Sequence, residues 1–379
     1  MGNSAQGNGP LAGLRVLEIE ALGPVPFGGM LLADLGADVV KVMRPGEPGG
    51  PRPHLPADLP TQGQQILDRG KRTLTVDLKD NDGRALVRTL ASHADVLLEG
   101  FRPGVAERLG IGPDICLQAH PSLVYGRMTG WGQSGPLAGT AGHDITYLAA
   151  SGVLGALGRQ GCPPPVPLNL LGDFGGGALY LVIGVLAARQ HVLRGGPGQV
   201  VDAAVVDGVT HLSTMIFGMY AAGEWRAEPG TNLLDSGCPF YDVYETSDRR
   251  HMAVGALEPK FYWEFVRLLG VAHAVPRHRD PSVWDEMRRV FTNAFRRRSQ
   301  REWAAIFAGT DACVSPVATL PEVTTSSRAA TRDTVISVDD VPQPAPAPRF
   351  SGTPCAVPRS ATPLGSWAAQ LIAEWVEET

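Results

Sequence analysis

The sequence predicts an α/β protein with a large domain on a parallel or mixed sheet, followed in the chain by a smaller α+β domain. Strand-like segments alternate with helical ones through the first half, and a β-rich hairpin replaces this alternation after about residue 232. Strands that alternate with helices form sheets covered on both faces. With 379 residues, 44% of them hydrophobic and 19% charged, the chain is long enough for two cores.

The alternation begins with a βαβ unit. A strand is predicted over Leu14–Ile19, a Gly/Pro turn leads into a helix that stops at Gly36, and a second strand covers Asp38–Met43. The Gly triplet at 175–177 opens an apolar helix, which we expect to be buried. The other strands of this half are predicted over 73–78, 95–99, 123–128 and 199–205, and the helices over 82–91, 175–194 and 209–222.

The second part of the chain begins with a predicted hairpin, Phe240–Glu245 and His251–Ala256. Proline alternates with other residues from Pro342 to Pro348, which predicts an extended linker over 341–354 and no core element. Helices are predicted over 259–269, over 281–298, from the capping-box pattern Ser299–Glu302 onward, and over 367–376.

Composition argues against several functions. Thirty-three basic and 38 acidic residues give a net charge of -5, which does not favour a nucleic-acid or membrane-surface partner. The five cysteines lie far apart without metal-ligand spacing, so no metal site is expected. Residues 1–10 are polar and predicted to be a disordered leader, and the most apolar stretch, Ala178–Ala188, is shorter than the roughly 20 residues of a membrane span. These features predict a cytoplasmic protein without a membrane partner.

The first βα turn also narrows the choice of enzyme. It covers Ala21–Gly29 and lacks the G-x-G-x-x-G pattern of a dinucleotide-binding turn. A nicotinamide or flavin enzyme is therefore disfavoured, while the α/β scaffold is not.

His143 is the first candidate for chemistry. It follows Gly142 and a Gly/Pro-rich loop over 130–136, which would let the ring reach into a cleft. Imidazole titrates near neutral pH and suits a general base or acid. The alternative is a surface or packing role, as expected for most of the nine histidines.

Two carboxylates are further candidates. Asp173 lies where an apolar run meets the Gly triplet, whose glycines allow a ligand or backbone to approach closely. Glu258 precedes Pro259 at the start of a predicted helix, and a carboxylate beside a histidine would fix its tautomer and raise its pKa. Either residue could instead be a plain helix cap.

Basic residues at or beyond the predicted strand ends could bind an anionic ligand, because open α/β sheets bind ligands there. Guanidinium groups pair with phosphates through two hydrogen bonds. A solvated surface is the alternative for each. The residues are Arg44, the cluster Arg69–Arg72, Lys79, Arg102 and Arg108.

Several segments together resemble the family III CoA-transferase superfamily. They are Gly13–Glu18, Ala33–Val40, Lys71–Arg72 with Asp77–Lys79, and Phe101–Gly104. Within that superfamily, Gly142–Ile145, Pro167–Gly177 and Val254–Pro259 resemble the α-methylacyl-CoA racemase branch. The similarity covers nearly the whole chain and is weakest in the leader, in 43–67 and in the last fifty or so residues.

The resemblance implies roles for the three candidates. In the transferases an aspartate matching Asp173 is a nucleophile that forms an acyl anhydride, whereas in the racemases it carries a proton. Transferases usually have a bulky aromatic residue at the position of His143, and racemases have histidine assisted by a glutamate matching Glu258. The expected function is therefore interconversion of (R)- and (S)-2-methylacyl-CoA thioesters through an enolate; the alternative is CoA transfer through an Asp173 acyl intermediate.

The resemblance also implies an architecture and a binding site. The large, Rossmann-like domain would comprise 11–224 with 331–379 returning to it, the small domain 225–330, and two chains would form an interlocked homodimer with the active site between large and small domains of different subunits. Coenzyme A would be part of the substrate, with no metal or redox cofactor. The family's positions for binding it correspond to Arg44, Val76, Asp77, Leu78, Lys79, Arg102, Arg108, Gly142, Asp144, Ile145, Thr146 and Tyr147.

Two finer expectations concern the reaction. Backbone N–H groups at the helix start beside Asp173 are the expected donors to the enolate oxygen. Trp131, Trp225 and Tyr241 could line a channel for the acyl group, or be core residues.

Overall fold

The protein is described by a computed structural model that covers residues 8–46, 65–275, 280–325, 332–364 and 368–377. The strands in these residues are β1 Arg15–Ile19, β2 Asp38–Met43, β3 Arg72–Thr75, β4 Val96–Glu99, β5 Val124–Thr129, β6 Gln199–Ala204, β7 Tyr241–Glu245, β8 His251–Gly255, β9 Val314–Pro316, β10 Val335–Val338, β11 Val341–Pro344 and β12 Thr362–Pro363.

The helices in the same residues are α1 Pro24–Asp34, α2 Asn81–Ala91, α3 Val105–Arg108, α4 Pro113–Ala119, α5 Asp144–Ala150, α6 Val153–Ala156, α7 Leu179–Leu193, α8 Val205–Leu212, α9 Thr214–Ala221, α10 Pro259–Leu269, α11 Trp284–Phe295, α12 Gln300–Phe307, α13 Leu320–Thr325 and α14 Ala368–Glu377. Short 3-10 helices cover Ile66–Asp68 and Pro281–Val283, and a π-helix covers Leu170–Ala178.

The chain divides into two compact units. The first comprises Met1–Ser151, Pro167–Leu212 and Ala330–Thr379, and the second comprises Gly152–Val166 and Ser213–Ala329. The division therefore places 152–166 and 213–224 in the second unit, whereas the sequence placed both in the large domain.

The first unit is built on a seven-stranded sheet in the order β12-β3-β2-β1-β4-β5-β6, and every paired strand is parallel. This confirms the α/β prediction. Central strands are buried because both sheet faces are covered, as β4 shows with four buried residues, three of them apolar. The C-terminal helix α14 packs on one face, where Trp375 is buried and its Nε1 donates to Asp38 Oδ2 at 2.8 Å.

The second unit contains a three-stranded antiparallel sheet in the order β7-β8-β9. Helices α10, α11 and α12 cover an aromatic core that includes Phe265, Phe291 and Phe295. The predicted capping box begins α12, with Ser299 Oγ and the Glu302 side chain each accepting a backbone N–H of the other residue.

Four element predictions were wrong. The helix predicted over 281–298 is a 3-10 helix at Pro281–Val283 followed by α11, which ends at Phe295. Strand β3 ends at Thr75 and not at Leu78. The helix predicted over 209–222 starts at Val205 and is interrupted at Ser213, whose backbone (φ -87, ψ 10) leaves helical geometry. The linker predicted over 341–354 begins with β11, which pairs antiparallel with β10. A two-stranded ribbon tolerates alternate prolines because their missing N–H groups face away from the partner strand.

The apolar helix after the Gly triplet is less buried than predicted. Together with the π-helix it runs from Leu170 to Leu193, 24 residues, and an 18-residue stretch of it has a mean hydropathy of 1.8 and is 39% buried. One side packs against α1, β5 and β6, while Leu179, Ile183 and Leu193 are exposed. Among the described residues it is the one helix long and apolar enough to cross a membrane, well beyond the 178–188 stretch seen in the sequence.

Candidate active site

A cavity of about 350 Å³ opens in the first unit at the carboxyl ends of the central strands. Glu20 follows β1, Arg44 follows β2, Arg102 lies three residues beyond β4, and Trp131 lies two residues beyond β5; all four line the cavity. Parallel α/β sheets bind ligands at this edge because consecutive loops converge there. The position makes this cavity the candidate active site.

The first βα turn forms part of the wall through Gly23, Pro24 and Val25. Gly23 has a φ of 66°, and a Cβ built there would lie 2.9 Å from Asp173 Oδ2. Pro24 and Pro26 carry no N–H, so the start of α1 offers the Asp173 carboxylate fewer donors. The turn that lacks a dinucleotide pattern therefore borders a carboxylate.

Asp173 lies inside the π-helix and not at its start, so the N-cap alternative was wrong. π-helical turns are rare and occur mostly at functional sites. The neighbouring glycines allow close packing, since a Cβ on Gly176 would lie 2.4 Å from Val209 Cγ2 of α8. Phe174 stacks on Phe27 of α1 with ring centroids 4.2 Å apart. These contacts hold Asp173 against the cavity.

The surroundings of Asp173 favour its protonated form. Burial, and then the charge of Asp144, raise the pKa of Asp173 from 3.8 to about 6. A side-chain hydrogen bond with Asn169 and the charge of His143 act in the opposite direction. A carboxyl group with a pKa near 6 can both accept and return a proton near neutral pH.

His143 lines the same cavity and is the N-cap residue of α5. The Thr146 hydroxyl accepts the His143 backbone N–H at 3.0 Å and donates to the His143 carbonyl at 2.7 Å, which fixes the backbone at this point. Gly142 is required next to it, because a Cβ there would lie 2.5 Å from the ring of Tyr147. The cavity therefore brings His143 and Asp173 together.

Asp144 turns away from solvent behind this wall. Its Oδ1 accepts the backbone N–H of Asp173 at 2.6 Å, and Gly172 N–H donates to the same carboxylate. The Asp173 N–H is thus occupied, and the expectation that N–H groups beside Asp173 serve an enolate oxygen was wrong for this donor. Burial raises the pKa of Asp144.

Tyr147 and Trp131 form an aromatic corner of the cavity. Their rings meet edge to face at 4.8 Å, and Gly130 makes room for the Tyr147 ring, since a Cβ there would lie 2.0 Å from it. Burial, and then the charge of Asp173, raise the pKa of Tyr147. Of the three aromatic residues suggested for an acyl channel, Trp131 is the one that lines this cavity.

The residues expected to bind coenzyme A are divided by the structure. Arg44, Arg102, Gly142 and Tyr147 line the cavity, and Asp144 lies behind its wall. The remaining ones are not among the cavity's lining residues: Ile145 and Thr146 on α5, Val76, Asp77, Leu78 and Lys79 after β3, and Arg108 on α3.

The basic cluster Arg69–Arg72 does not offer free cations. Arg69 is buried and forms two hydrogen bonds to Asp34, at 3.0 and 2.6 Å. Lys71 is buried and donates to Glu18 at 2.7 Å, and Arg72 pairs with Asp38. Carboxylates engage all three side chains, and those of Asp34 and Glu18 are buried, which argues against phosphate binding by this cluster.

Glu258 belongs to the second unit, as the N-cap residue of α10, where its side chain makes no capping hydrogen bond. Glu258 therefore occupies the cap position without capping the helix through its side chain. Trp225 and Tyr241 also belong to that unit. Trp225 is buried and Tyr241 is exposed.

Sequence reasoning missed two residues of the site. Glu20 lines the cavity and accepts the Arg44 backbone N–H at 2.9 Å, and Asn169 bonds the Asp173 side chain. The position of Glu20 directly after β1 could have indicated it. Among the described residues, no group of three His, Cys, Asp or Glu side chains is arranged to hold a metal ion.

The chain is similar to known proteins over nearly its whole length. Residues 11–366 match the family model for CoA-transferase family III. The chain is 42% identical to the alpha-methylacyl-CoA racemase of Mus musculus, covering 96% of this chain and 93% of that protein. It is 43% identical to the Homo sapiens alpha-methylacyl-CoA racemase, covering 91% and 87%.

A solved structure shares the fold. The chain matches a CaiB/BaiF family protein from Brucella suis with a TM-score of 0.82 and 24% identity, covering 97% of this chain and 100% of that one.

Proposed function

Because the chain belongs to CoA-transferase family III, we propose that it interconverts (R)- and (S)-2-methylacyl-CoA thioesters by moving one proton off and on the α-carbon. The two relatives at 42% and 43% identity named alpha-methylacyl-CoA racemase support this activity. The reaction class is that of a racemase or epimerase.

One structural observation carries the proposal: His143 and Asp173 line the same cavity. Inverting a carbon centre requires a base on one face and an acid on the other. With a pKa of about 6, Asp173 can serve in both states near neutral pH, and imidazole has the same property. Each group acts as base for one enantiomer and as acid for the other.

The enolate oxygen needs donors, because positioned acid/base groups contribute only about 10²- to 10⁴-fold each. One such donor is typically worth about 3 to 4 kcal/mol. The first N–H groups of a helix have no intrahelical acceptor, and α5 begins directly after His143. The backbone N–H group of Asp144, which belongs to the peptide unit that joins it to the cavity residue His143, is therefore the proposed donor.

Arg44 and Arg102 are proposed to bind the phosphates of coenzyme A, since both are exposed and line the cavity. Binding energy from this non-reacting part offsets the cost of aligning the α-carbon. Proton transfer changes no oxidation state, so the proposed mechanism needs no redox cofactor, and coenzyme A enters only as part of the substrate.

We also propose that the chain acts as a homodimer and that Glu258 assists His143, as the family resemblance implies. The exposed apolar side chains Leu179, Ile183 and Leu193 of α7 support association, because apolar surface on one helix favours burial against another surface. Light scattering tests the dimer by measuring the molar mass in solution. A reduced rate of deuterium exchange in Glu258→Gln would support the proposal that Glu258 assists His143.

The test of the activity is isotope exchange. A pure enantiomer of a 2-methylacyl-CoA is incubated with the protein in D₂O without an acceptor acid. We expect deuterium at C2 together with loss of optical purity. In His143→Ala and Asp173→Ala the loss of optical purity should be strongly reduced, and exchange should persist only for the enantiomer that the remaining base deprotonates. His273→Ala, which removes an exposed histidine of the second unit, is the matched control and should match the wild type.

The alternative activity is CoA transfer through an acyl anhydride on Asp173, which the same residue could form. Adding an acceptor carboxylic acid distinguishes the two. CoA movement to the acceptor without deuterium at C2 would establish transfer and overturn the racemase proposal.

A further inference from the structure

Asp144 forms the link between the two proposed proton carriers. It follows His143 in the chain, and its Oδ1 accepts the backbone N–H of Asp173 at 2.6 Å. Gly172 adds a second backbone donor, and only glycine fits there, because a Cβ on Gly172 would lie 2.1 Å from Asp144 Oδ1. The carboxylate therefore bridges the start of α5 and the π-helical turn that carries Asp173.

The charge of Asp144 is not required by this bridge. An amide oxygen could accept the same N–H groups. Asp144 is 8% exposed, and its Oδ2 is buried without a hydrogen-bond partner among the described residues. Burying a carboxylate with one oxygen unpaired costs free energy. The negative charge of Asp144 acts electrostatically on the neighbouring carboxyl group of Asp173.

We propose that Asp144 is a positioning residue that holds the Asp173 turn against the start of α5, where Thr146 independently fixes the backbone of His143. This inference rests on the proposed proton-transfer function. The connection is short, because one peptide unit joins His143 to Asp144 and one hydrogen bond joins Asp144 to Asp173. A fixed position matters because a displacement of about 1 Å can cost roughly 100-fold in rate.

The same carboxylate tunes Asp173. After burial, the charge of Asp144 is the largest cause of the raised pKa of Asp173, and the charge of His143 lowers it. Tyr147 also faces Asp173 from α5. The other charged groups on α1, α8, β5 and β6, which pack against the π-helix, are not among the causes of the shift: Asp34, Asp207, His211, Arg127 and Asp202.

The test uses each pure enantiomer of a 2-methylacyl-CoA in D₂O. In the wild type, both enantiomers must exchange; if neither does, the proposed function fails. In Asp144→Ala, we expect the enantiomer deprotonated by Asp173 to exchange more slowly by about tenfold or more, within the roughly 100-fold limit for a misplaced group. The enantiomer deprotonated by His143 should continue to exchange, with its configuration retained.

Asp114→Ala is the matched control, since Asp114 is an exposed first-turn aspartate of the equally short helix α4. It should leave the ratio of the two exchange rates as in the wild type. If Asp144→Ala slows both enantiomers equally, or neither, the positioning role is overturned.

Asp144→Asn keeps an acceptor oxygen without the charge and decides the question if Asp144→Ala fails to fold. Loss of the negative neighbour lowers the pKa of Asp173, so the low-pH limb of the exchange rate should move to lower pH. An unmoved limb would mean that Asp144 has a purely structural role.

Discussion

Gly23 lies against Asp173 so closely that a Cβ on the glycine would be 2.9 Å from Oδ2 of the carboxylate. The first βα turn and the stacked rings of Phe27 and Phe174 together restrict water around this carboxylate. Asp173 therefore binds its proton more tightly than a free aspartate does, and its ionised form destabilises the folded protein. The relationship leads to two predictions about pH.

The first prediction concerns stability. The pKa of Asp173 is raised from 3.8 to about 6, so between these values the folded protein holds a proton that the unfolded chain has released. The stabilisation that the folded protein gains from holding this proton on Asp173 is fully present below pH 3.8 and is lost as pH rises through about 6. Asp173→Asn should therefore be more stable than the wild type by about 1 to 2 kcal/mol at about pH 7.5.

Urea unfolding at both ends of this range measures the effect. The advantage of Asp173→Asn should shrink to nothing near pH 4, by the same linkage. Asp114→Asn, on the exposed face of α4, serves as control and should change stability little at either pH. An Asp173→Asn advantage that does not depend on pH would contradict the raised pKa.

The second prediction concerns the rate. Asp173 removes a proton only when it is ionised, so its exchange rate should fall as pH drops through about 6. The His143→Ala variant isolates this limb, because exchange in it depends on Asp173 alone. Deuterium incorporation into the enantiomer that still reacts gives the profile. If the exchange rate falls only near pH 4, the pKa of Asp173 is that of an ordinary aspartate and the prediction is wrong.

The third prediction concerns Arg44 and Arg102. Both line the cavity and are proposed to contact phosphate. Replacing either with alanine should raise KM for the CoA thioester by about tenfold, equal to roughly 1.4 kcal/mol, and change kcat less. The increase should vanish with a truncated N-acetylcysteamine thioester, which has no phosphates.

Arg194→Ala is the control for this pair, because Arg194 carries the same charge, is exposed and does not line the cavity. It should leave KM for both thioesters near the wild-type value. If the truncated substrate shows the same rise in KM for Arg44→Ala, the arginine acts on the cavity's shape and not on phosphate.

The sheet could be predicted well because its signals are local. Strand β2 and helix α10 have the predicted bounds, β1, β4 and β6 differ by one residue at one end, and β5 is shifted by one residue at both ends. Strands β2, β4 and β5 each combine a buried run with a Gly or Pro within two residues of the strand end. Strand β11 was missed because its prolines signal an extended chain locally, while its pairing with β10 depends on a partner strand and a ribbon with free edges.

The site was predicted in part for the same reason. Glycine flanks mark His143 and Asp173 in the sequence, so both could be selected as candidates. The function of Lys71 could not be inferred this way, since its side chain looks like a surface cation until the fold places Glu18 beside it. The Asp144–Asp173 hydrogen bond spans 29 positions and leaves no local pattern.

The fourth prediction concerns four buried charged residues on and beside strands β1 and β2: Glu18, Lys41, Asp68 and Lys71. Lys71 Nζ donates to Glu18 Oε2 at 2.7 Å, and Lys41 Nζ donates to Asp68 Oδ1 at 2.6 Å, which balances the charge. Burial raises the pKa of Glu18 and lowers that of Lys71, so each depends on its partner to stay ionised. Removing one member leaves an unpaired buried charge.

Lys71→Met should therefore lower the free energy of unfolding by about 3 to 5 kcal/mol. The double variant Glu18→Leu/Lys71→Met removes one charge of each sign and should recover most of that loss, because paired buried ions contribute little net stability over apolar residues of similar volume. Lys79→Met, at an exposed position, is the control and should change stability by less than about 0.5 kcal/mol. Urea unfolding of the four proteins measures the differences. A double variant as unstable as Lys71→Met would show that Lys71 acts mainly through its hydrogen bond to the Pro26 carbonyl of α1, at 2.9 Å, and not through charge balance.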